Sequence, residues 1–137
     1  MTYEINAAWE DLTVAILSVN QQSLEKTYSV IEGIRRESLC EPAKLAGWTI
    51  NEIASRLKRA GYDRGDFMTH LFAERLAALG KHVESVGIGS CEKVFASRSA
   101  IEIAHLLRSV KGIGPKVLAN FFVLQDIGSA DSRTGEK

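Results

Sequence analysis

Two lysines and two glycines, close together in the last third of the chain, have the types and spacing that could do chemistry. They lie in the run Lys-Gly-Ile-Gly-Pro-Lys at residues 111–116. Gly112 and Gly114 predict a tight turn, because glycine reaches positive φ and lets backbone approach closely. Amides around such a turn, at the start of a helix, bind anions through N–H groups and the helix dipole. With Lys111 and Lys116 beside it, the turn is predicted to bind a DNA phosphate. The alternative is an ordinary helix–helix turn.

Two helices are predicted to position this turn. Ser99 and Glu102 form a capping box, in which a hydroxyl and a carboxylate satisfy free amides where a helix begins. Pro115 suits the first turn of the following helix, where its missing N–H costs nothing. Residues 100–125 therefore predict a helix-hairpin-helix. Its apolar faces are Ile103, Leu107 and Val110 on the first helix, and Val117, Leu118, Phe121 and Phe122 on the second.

A second stretch of interest follows a helix predicted at residues 8–19. That helix ends in three consecutive amides, Asn20, Gln21 and Gln22. Three amides between helices usually form a polar turn. The sharper alternative is that one of them enters a DNA duplex, because an amide hydrogen-bonds base edges without carrying charge.

The remaining pattern predicts an all-α protein, a compact bundle or barrel of about six or seven helices. We expect one helical domain at residues 1–128 and a flexible polar tail at 129–137. Gly80 is predicted to end a helix, and residues 81–97 are predicted to be mainly loop around Gly87 and Gly89, with one helical turn at 91–95. Further helices are predicted at residues 24–36, 50–60 and 67–79, with one helical turn at 41–46.

Composition narrows the function classes. The 137 residues are 45% hydrophobic and carry a formal net charge of +0, which argues against a strongly electrostatic DNA binder unless charge is local. Cys40 and Cys91 are too few to ligate an iron–sulfur cluster, so no cofactor or metal is expected. No apolar run approaches a membrane span, and the N-terminus has no signal-peptide pattern. We therefore expect a cytoplasmic, nucleoid-associated protein that does not bind membranes.

Three stretches in order resemble the helix-hairpin-helix DNA glycosylase superfamily, the group of endonuclease III and 8-oxoguanine DNA glycosylase. They read Ala-Ile-Leu-Ser-Val-Asn-Gln-Gln at 15–22, Ala-Gly-Tyr-Asp-Arg at 60–64 and Val-Lys-Gly-Ile-Gly-Pro-Lys-Val at 110–117. The resemblance extends over residues 9–127. It implies a monomeric base excision repair enzyme that binds damaged double-stranded DNA and flips the damaged base into a pocket.

The resemblance also implies residue roles. Asn20 takes the place of the family residue that fills the gap left by the flipped base. Lys116 takes the place of the lysine that attacks the sugar C1′ and forms a Schiff base, from which the strand is cleaved by β-elimination. That amine must be neutral, and Lys111 is the neighbouring cation that would favour the neutral form. The DNA-binding residues implied are Asn20, Gln21, Lys111, Gly112, Ile113, Gly114 and Lys116.

Three features depart from the family pattern, and the first is that Gly65 and Asp66 stand near where the family often has a basic residue. Leu118 stands where the family usually has an alanine that allows close helix packing. The family's catalytic aspartate is expected around residues 134–137, where this chain has none, and Asp131 is the aspartate nearest to that place. Either the sequence ends before the catalytic segment, or the protein lacks that carboxylate and is a non-catalytic DNA-binding module. A helical interaction domain without nucleic-acid function is the third hypothesis.

Overall fold

The computed structural model describes residues 4–128, and within that range the regular structure is α-helical, with nine helices and no strand. The prediction of an all-α bundle is confirmed, with more helices than the six or seven expected. The helices are α1 (Ile5–Leu17), α2 (Leu24–Tyr28), α3 (Ile31–Arg36), α4 (Pro42–Gly47), α5 (Ile50–Ala60), α6 (Asp66–Val86), α7 (Ile88–Ser97), α8 (Ala100–Leu107) and α9 (Pro115–Gln125).

The helix at the centre of the bundle is α1. Every residue from Asp11 to Leu17 is buried, as expected for a helix that other elements cover on all sides. It contacts α2, α6, α7 and α9. The ring of Trp9 meets Phe95 edge-on at 4.8 Å between centroids, and Phe95 lies 5.6 Å from Phe121, so aromatic packing joins α1 to α7 and α9.

Gly80 does not end a helix, and that prediction is wrong. The helix α6 continues through it to Val86 and packs against α4 and α5. A Cβ atom at position 80 would lie 2.6 Å from the backbone nitrogen of Ala46 and 2.8 Å from the carbonyl carbon of Leu45. The glycine is therefore needed where the backbones of α4 and α6 approach each other, and not for a turn.

The helix predicted at residues 24–36 is two helices. The Ser29 hydroxyl donates to the carbonyl of Lys26 at 2.5 Å, and the chain changes direction before Ile31. This change brings Gly33 against the end of α5, where a Cβ atom would lie 2.0 Å from the carbonyl oxygen of Ala60. A close backbone contact between α3 and α5 thus accompanies the break.

Residues 81–97 are largely helical, which corrects the prediction of a loop. Only Gly87, at a φ of 103°, interrupts the chain between α6 and α7. Cys91 and Phe95 lie one turn apart on α7, and both are buried in the core. The signal was weak because two buried side chains are all that α7 contributes to the core.

Three of the predicted helix starts, at residues 24, 50 and 100, are confirmed and have side-chain caps. Ser23, Thr49 and Ser99 each accept a hydrogen bond from the backbone amide three residues ahead, at 3.0, 3.1 and 3.2 Å. Pro115 is the first residue of α9, as predicted, and α8 and α9 together span residues 100–125.

Two predictions concern residues beyond the described range. The tail at 129–137 and Asp131 within it both lie outside residues 4–128. In the part of the chain that the structure describes, no helix is long and apolar enough to cross a membrane.

Candidate nucleic-acid interface

The chain leaves α1 through two exposed residues in the left-handed conformation. Asn20 has a φ of 58° and Gln21 a φ of 73°. We call them the Asn20–Gln21 pair. Left-handed backbone is uncommon outside glycine and costs free energy, so two such residues in a row persist only where neighbouring groups hold them. The exposed amide predicted to enter a duplex is therefore on a turn whose backbone is constrained.

The turn after α5 supplies part of that constraint. The Tyr62 hydroxyl donates to the carbonyl of Leu17 at 2.6 Å, and Arg64 Nη1 donates to the carbonyl of Val19 at 2.9 Å. Arg64 Nη2 donates to the carbonyl of Asn20. Of these carbonyls only that of Leu17 belongs to α1, and those of Val19 and Asn20 lie in the turn after it, so Arg64 acts on the turn. Burial raises the pKa of Tyr62, which keeps its hydroxyl protonated as a donor.

The helix α9 supplies the remaining hydrogen bonds that constrain the backbone before the Asn20–Gln21 pair. The Asn120 side-chain amide donates to the carbonyl of Ser18 at 3.0 Å and to that of Ala15 at 3.4 Å. Asn120 is buried, whereas Lys116, one turn earlier on the same helix face, is exposed. The end of α1 and the second turn of α9, which are far apart in sequence, therefore meet in space.

Arg75 of α6 lies under the turn between α8 and α9. A Cβ atom at Gly112 would lie 2.5 Å from Arg75 Cδ, and Gly112 has a φ of 93°, so both contact and conformation require glycine. The Arg75 guanidinium carbon lies 5.3 Å from the centre of the Phe72 ring. The guanidinium carbon of Arg64 lies 5.3 Å from the centre of the same ring. The buried Phe72 ring thus links the turn before α9 to the turn after α1.

Within the turn, the residues predicted to grip a phosphate differ in their surroundings. The Ile113 side chain is buried, and its amide donates to the carbonyl of Val110 at 3.0 Å. Gly114 is the N-cap of α9, and Lys111 and Lys116 are exposed. Among residues 4–128, the amides of Gly114, Lys116 and Val117 have no backbone acceptor. Within the same described range the amides of Lys111 and Gly112 also have no backbone acceptor, so free donors lie both in the turn and at the start of α9, and Ile113 anchors the turn.

Charge is distributed unevenly although the net charge is zero. No Asp or Glu occurs between residues 103 and 125. Arg64, Arg75, Lys111 and Lys116 form no ion pair with any residue of the described range 4–128. The basic residues of α3 and α5 do have carboxylate partners: Arg35 with Glu10 and Glu32, Arg56 with Glu52 and Glu37, Arg59 with Glu37, and Lys58 with Asp66.

A cleft of about 370 Å³ opens beside the Asn20–Gln21 pair. Most of its lining is polar, with side-chain amides, a carboxylate and two basic groups among its walls. Its walls are Gln21, Gln22, Lys26, Ser29 and Val30 on one side and Gly61, Tyr62, Asp63 and Arg64 on the other.

The one buried carboxylate among the described residues, Asp11, does not belong to this surface. It accepts hydrogen bonds from Tyr28 at 2.5 Å and from Gln125 at 2.8 Å. Gln125 is the last residue of α9, whereas Lys116 is in the first turn. At a rise of about 1.5 Å per residue, the length of α9 separates Asp11 from the lysine. Between residues 4 and 128 no cluster of three or more His, Cys, Asp or Glu can hold a metal ion.

Comparison with known proteins adds nothing to this geometry, because no family model, no curated protein and no solved structure matches the chain. The sequence interpretation did not single out Tyr62, Arg64, Arg75 or Asn120 as site residues. The Gly-Tyr-Asp-Arg run at 61–64 was a usable signal, since an arginine just after a helix-ending glycine is placed to cap a neighbour. Nothing local to Arg75 or Asn120 indicates what it contacts.

Proposed function

We propose that this protein is a helix-hairpin-helix DNA glycosylase-like repair protein. It binds duplex DNA through the turn between α8 and α9 and the Asn20–Gln21 pair, and excises a damaged base. The observation that carries the proposal is the contact of Asn120 with Ser18, because it joins the helix bearing Lys116 to the end of α1. Unpaired cations at Arg75 and Lys116 suit the DNA backbone.

In the proposed reaction, Lys116 is the nucleophile. Its neutral amine attacks C1′ of the flipped nucleotide, the N-glycosidic bond breaks, and the base leaves with its electron pair and takes up a proton. Loss of a proton from the lysine nitrogen and opening of the sugar ring give a Schiff base. Loss of a 2′ proton then expels the 3′ phosphate, which cleaves the strand. The exposed first turn of α9 gives this amine access to DNA.

A non-catalytic DNA-binding module is the second candidate, because the chain has no aspartate at residues 134–137, where the family pattern has its catalytic one. Family enzymes use a carboxylate to stabilise the positive charge that develops on the sugar, and such electrostatic stabilisation carries much of the rate. The buried carboxylate of Asp11 is committed to Tyr28 and Gln125 at the far end of α9. In this case the same surface holds DNA and releases no base.

Duplex binding is the first experiment. We expect binding that weakens with salt, and a slope of log K against log [salt] that falls by about one when Lys111→Gln removes a phosphate contact. Lys44→Gln is the matched control. Lys44 lies on α4, where it pairs with Glu41, and should leave the slope unchanged. Absence of duplex binding at physiological salt would favour the helical interaction domain.

Base release and covalent trapping distinguish the two candidates. Oxidised or alkylated duplex DNA is incubated with the protein, and released bases are identified by mass spectrometry. In parallel, borohydride is added with a duplex containing an abasic site. The enzyme hypothesis expects released bases, and an adduct that Lys116→Ala abolishes and Lys111→Ala retains at saturating protein. An adduct that forms equally well with Lys116→Ala would disprove the assignment of the nucleophile. Salt-sensitive binding with neither product identifies the module.

A further inference from the structure

The last carbonyls of α1 accept from its own Ser18, whose hydroxyl donates to Val14 and whose amide donates to Ala15, and from the distant side chains of Tyr62 and Asn120. Helices commonly end in a glycine that turns the chain and leaves the last carbonyls partnered. Here α1 ends at Leu17 with Ser18 as its C-cap, and the positive-φ residues Asn20 and Gln21 follow two and three residues beyond that cap. The conformation is held by hydrogen bonds to carbonyls of the preceding residues, and Arg64 supplies those to Val19 and Asn20.

The planar guanidinium of Arg64 suits this task better than any other side chain. Its Nη1 donates to the carbonyl of Val19 and, at 3.3 Å, to the hydroxyl of Tyr62, while Nη2 donates to the carbonyl of Asn20. The guanidinium carbon lies 5.3 Å from the centre of the Phe72 ring. A lysine at this position keeps the positive charge. Its ammonium group has neither two nitrogens in a fixed plane nor a flat surface to lie against a ring.

These contacts also distinguish Arg64 from a phosphate-binding residue. Both terminal nitrogens donate to protein acceptors on the turn that carries Asn20. Lys111 and Lys116, in contrast, are exposed and have no ion pair among residues 4–128. Replacing the Arg64 guanidinium, with its two donating nitrogens, therefore changes the conformation of the turn more than it changes the positive charge that can contact DNA.

We propose that Arg64 is a positioning residue, which holds the Asn20–Gln21 pair in the left-handed conformation that points it at a gap in duplex DNA. This inference rests on the proposed function for its DNA step only. The conformation of the free protein tests the positioning step without DNA. Backbone strain of this kind concentrates where a segment must be held ready for binding.

The experiment compares the parent protein with Arg64→Lys. Nuclear magnetic relaxation gives the backbone order parameters of residues 20 and 21 in the free protein. We expect them to fall from about 0.85 to below about 0.6 in Arg64→Lys. The ratio of the dissociation constants for an intact duplex and for the same duplex with an abasic site should fall about tenfold, the loss expected when the Asn20 amide no longer bonds to DNA at the gap. Affinity for the intact duplex should change less than about twofold, because the charge is kept.

Arg36→Lys is the matched control, because Arg36 also donates to a carbonyl at a helix end, that of Arg59 at 2.9 Å. It should leave both readouts at the parental values. Arg64→Gln is a second variant for the case in which the lysine variant is poorly folded. Unchanged order parameters in both Arg64 variants would overturn the proposal. Lower order with an unchanged ratio would overturn the DNA step. If the parent binds no duplex, the proposed function fails, and the relaxation data alone decide whether Arg64 holds the pair.

Discussion

The side-chain amide of Asn120 donates to the carbonyl of Ser18 at 3.0 Å, and this bond joins α9 to the end of α1. Ser18 is buried and lies two residues before the exposed Asn20. Asn120 is one helical turn after the exposed Lys116. One buried hydrogen bond thus fixes the relative positions of the two segments in which the sequence suggested chemistry.

Asn120→Ala should lower the free energy of unfolding by about 1–3 kcal/mol, because the buried carbonyl of Ser18 loses its donor. Urea unfolding followed by circular dichroism measures the change. Asn51→Ala, at an exposed position of α5, is the matched control and should stay within about 0.5 kcal/mol of the parent. A parental value for Asn120→Ala would mean that this bond does not hold α9 on α1.

The parts of the fold that could be predicted depend on neighbours in sequence. Ser99 caps α8 through the amide three residues ahead, and Pro115 begins α9 because its ring suits a first helical turn. Gly61 and Gly80 mark the limit of such reasoning. Gly61 ends α5 with a φ of 102°, whereas Gly80 continues α6 because α4 packs against it. Only the tertiary contact distinguishes the two glycines.

The residues of the candidate site also divide into those that the local sequence indicates and those that only tertiary contacts reveal. Lys111, Gly112 and Lys116 were predicted from one short run, because their chemistry is visible in spacing alone. Arg64 and Arg75 were not, since the role of each depends on an acceptor or a ring contributed by another part of the chain. The residues next to an arginine in sequence do not indicate which distant groups it contacts.

Gly80→Ala should destabilise the protein by about 1–3 kcal/mol or more, because its Cβ atom would meet the α4 backbone at 2.6 Å. Gly89→Ala is the matched control. Gly89 also lies in a helix, and its Cβ atom would have nothing within 4 Å. It should leave stability unchanged or raise it by up to about 1 kcal/mol. Thermal and urea unfolding of both variants measure the difference, and equal effects would contradict the close approach of α4 and α6.

The thiols of Cys40, which is partly buried, and of Cys91, which is buried, should make the fold sensitive to alkali. Burial raises the pKa of Cys40 to about 12, and burial also raises the pKa of Cys91. An unfolded thiol has a pKa of about 8.5, so above about pH 9 the unfolded state has lost a proton that the folded state keeps. Stability is therefore full below that pH and falls as pH rises toward 12, by up to about 1.4 kcal/mol per pH unit and thiol.

Urea unfolding of the parent at pH 8, 9 and 10 should detect this loss. Cys40→Ala removes one of the two thiols, so its stability should fall less steeply over the same interval, whatever its value at pH 8. Equal slopes for the two proteins would show that Cys40 does not contribute. Alkylation of the folded parent at pH 9 should also be slow, since roughly one Cys40 side chain in a thousand is then ionised.

Asn20→Gly separates the conformation of the exposed turn from its chemistry. Glycine accepts a φ of 58° without strain, and the carbonyl at position 20 still accepts from Arg64, so the free energy of unfolding should stay within about 0.5 kcal/mol. Asn20→Val, with a branched side chain at positive φ, should lose about 1–2 kcal/mol of the free energy of unfolding.

Without the amide, the preference of Asn20→Gly for an abasic-site duplex over an intact one should fall about tenfold while affinity for the intact duplex is kept. Fluorescence anisotropy titrations of the two duplexes measure that ratio, and a parental ratio for Asn20→Gly would mean that the Asn20 amide does not enter the duplex.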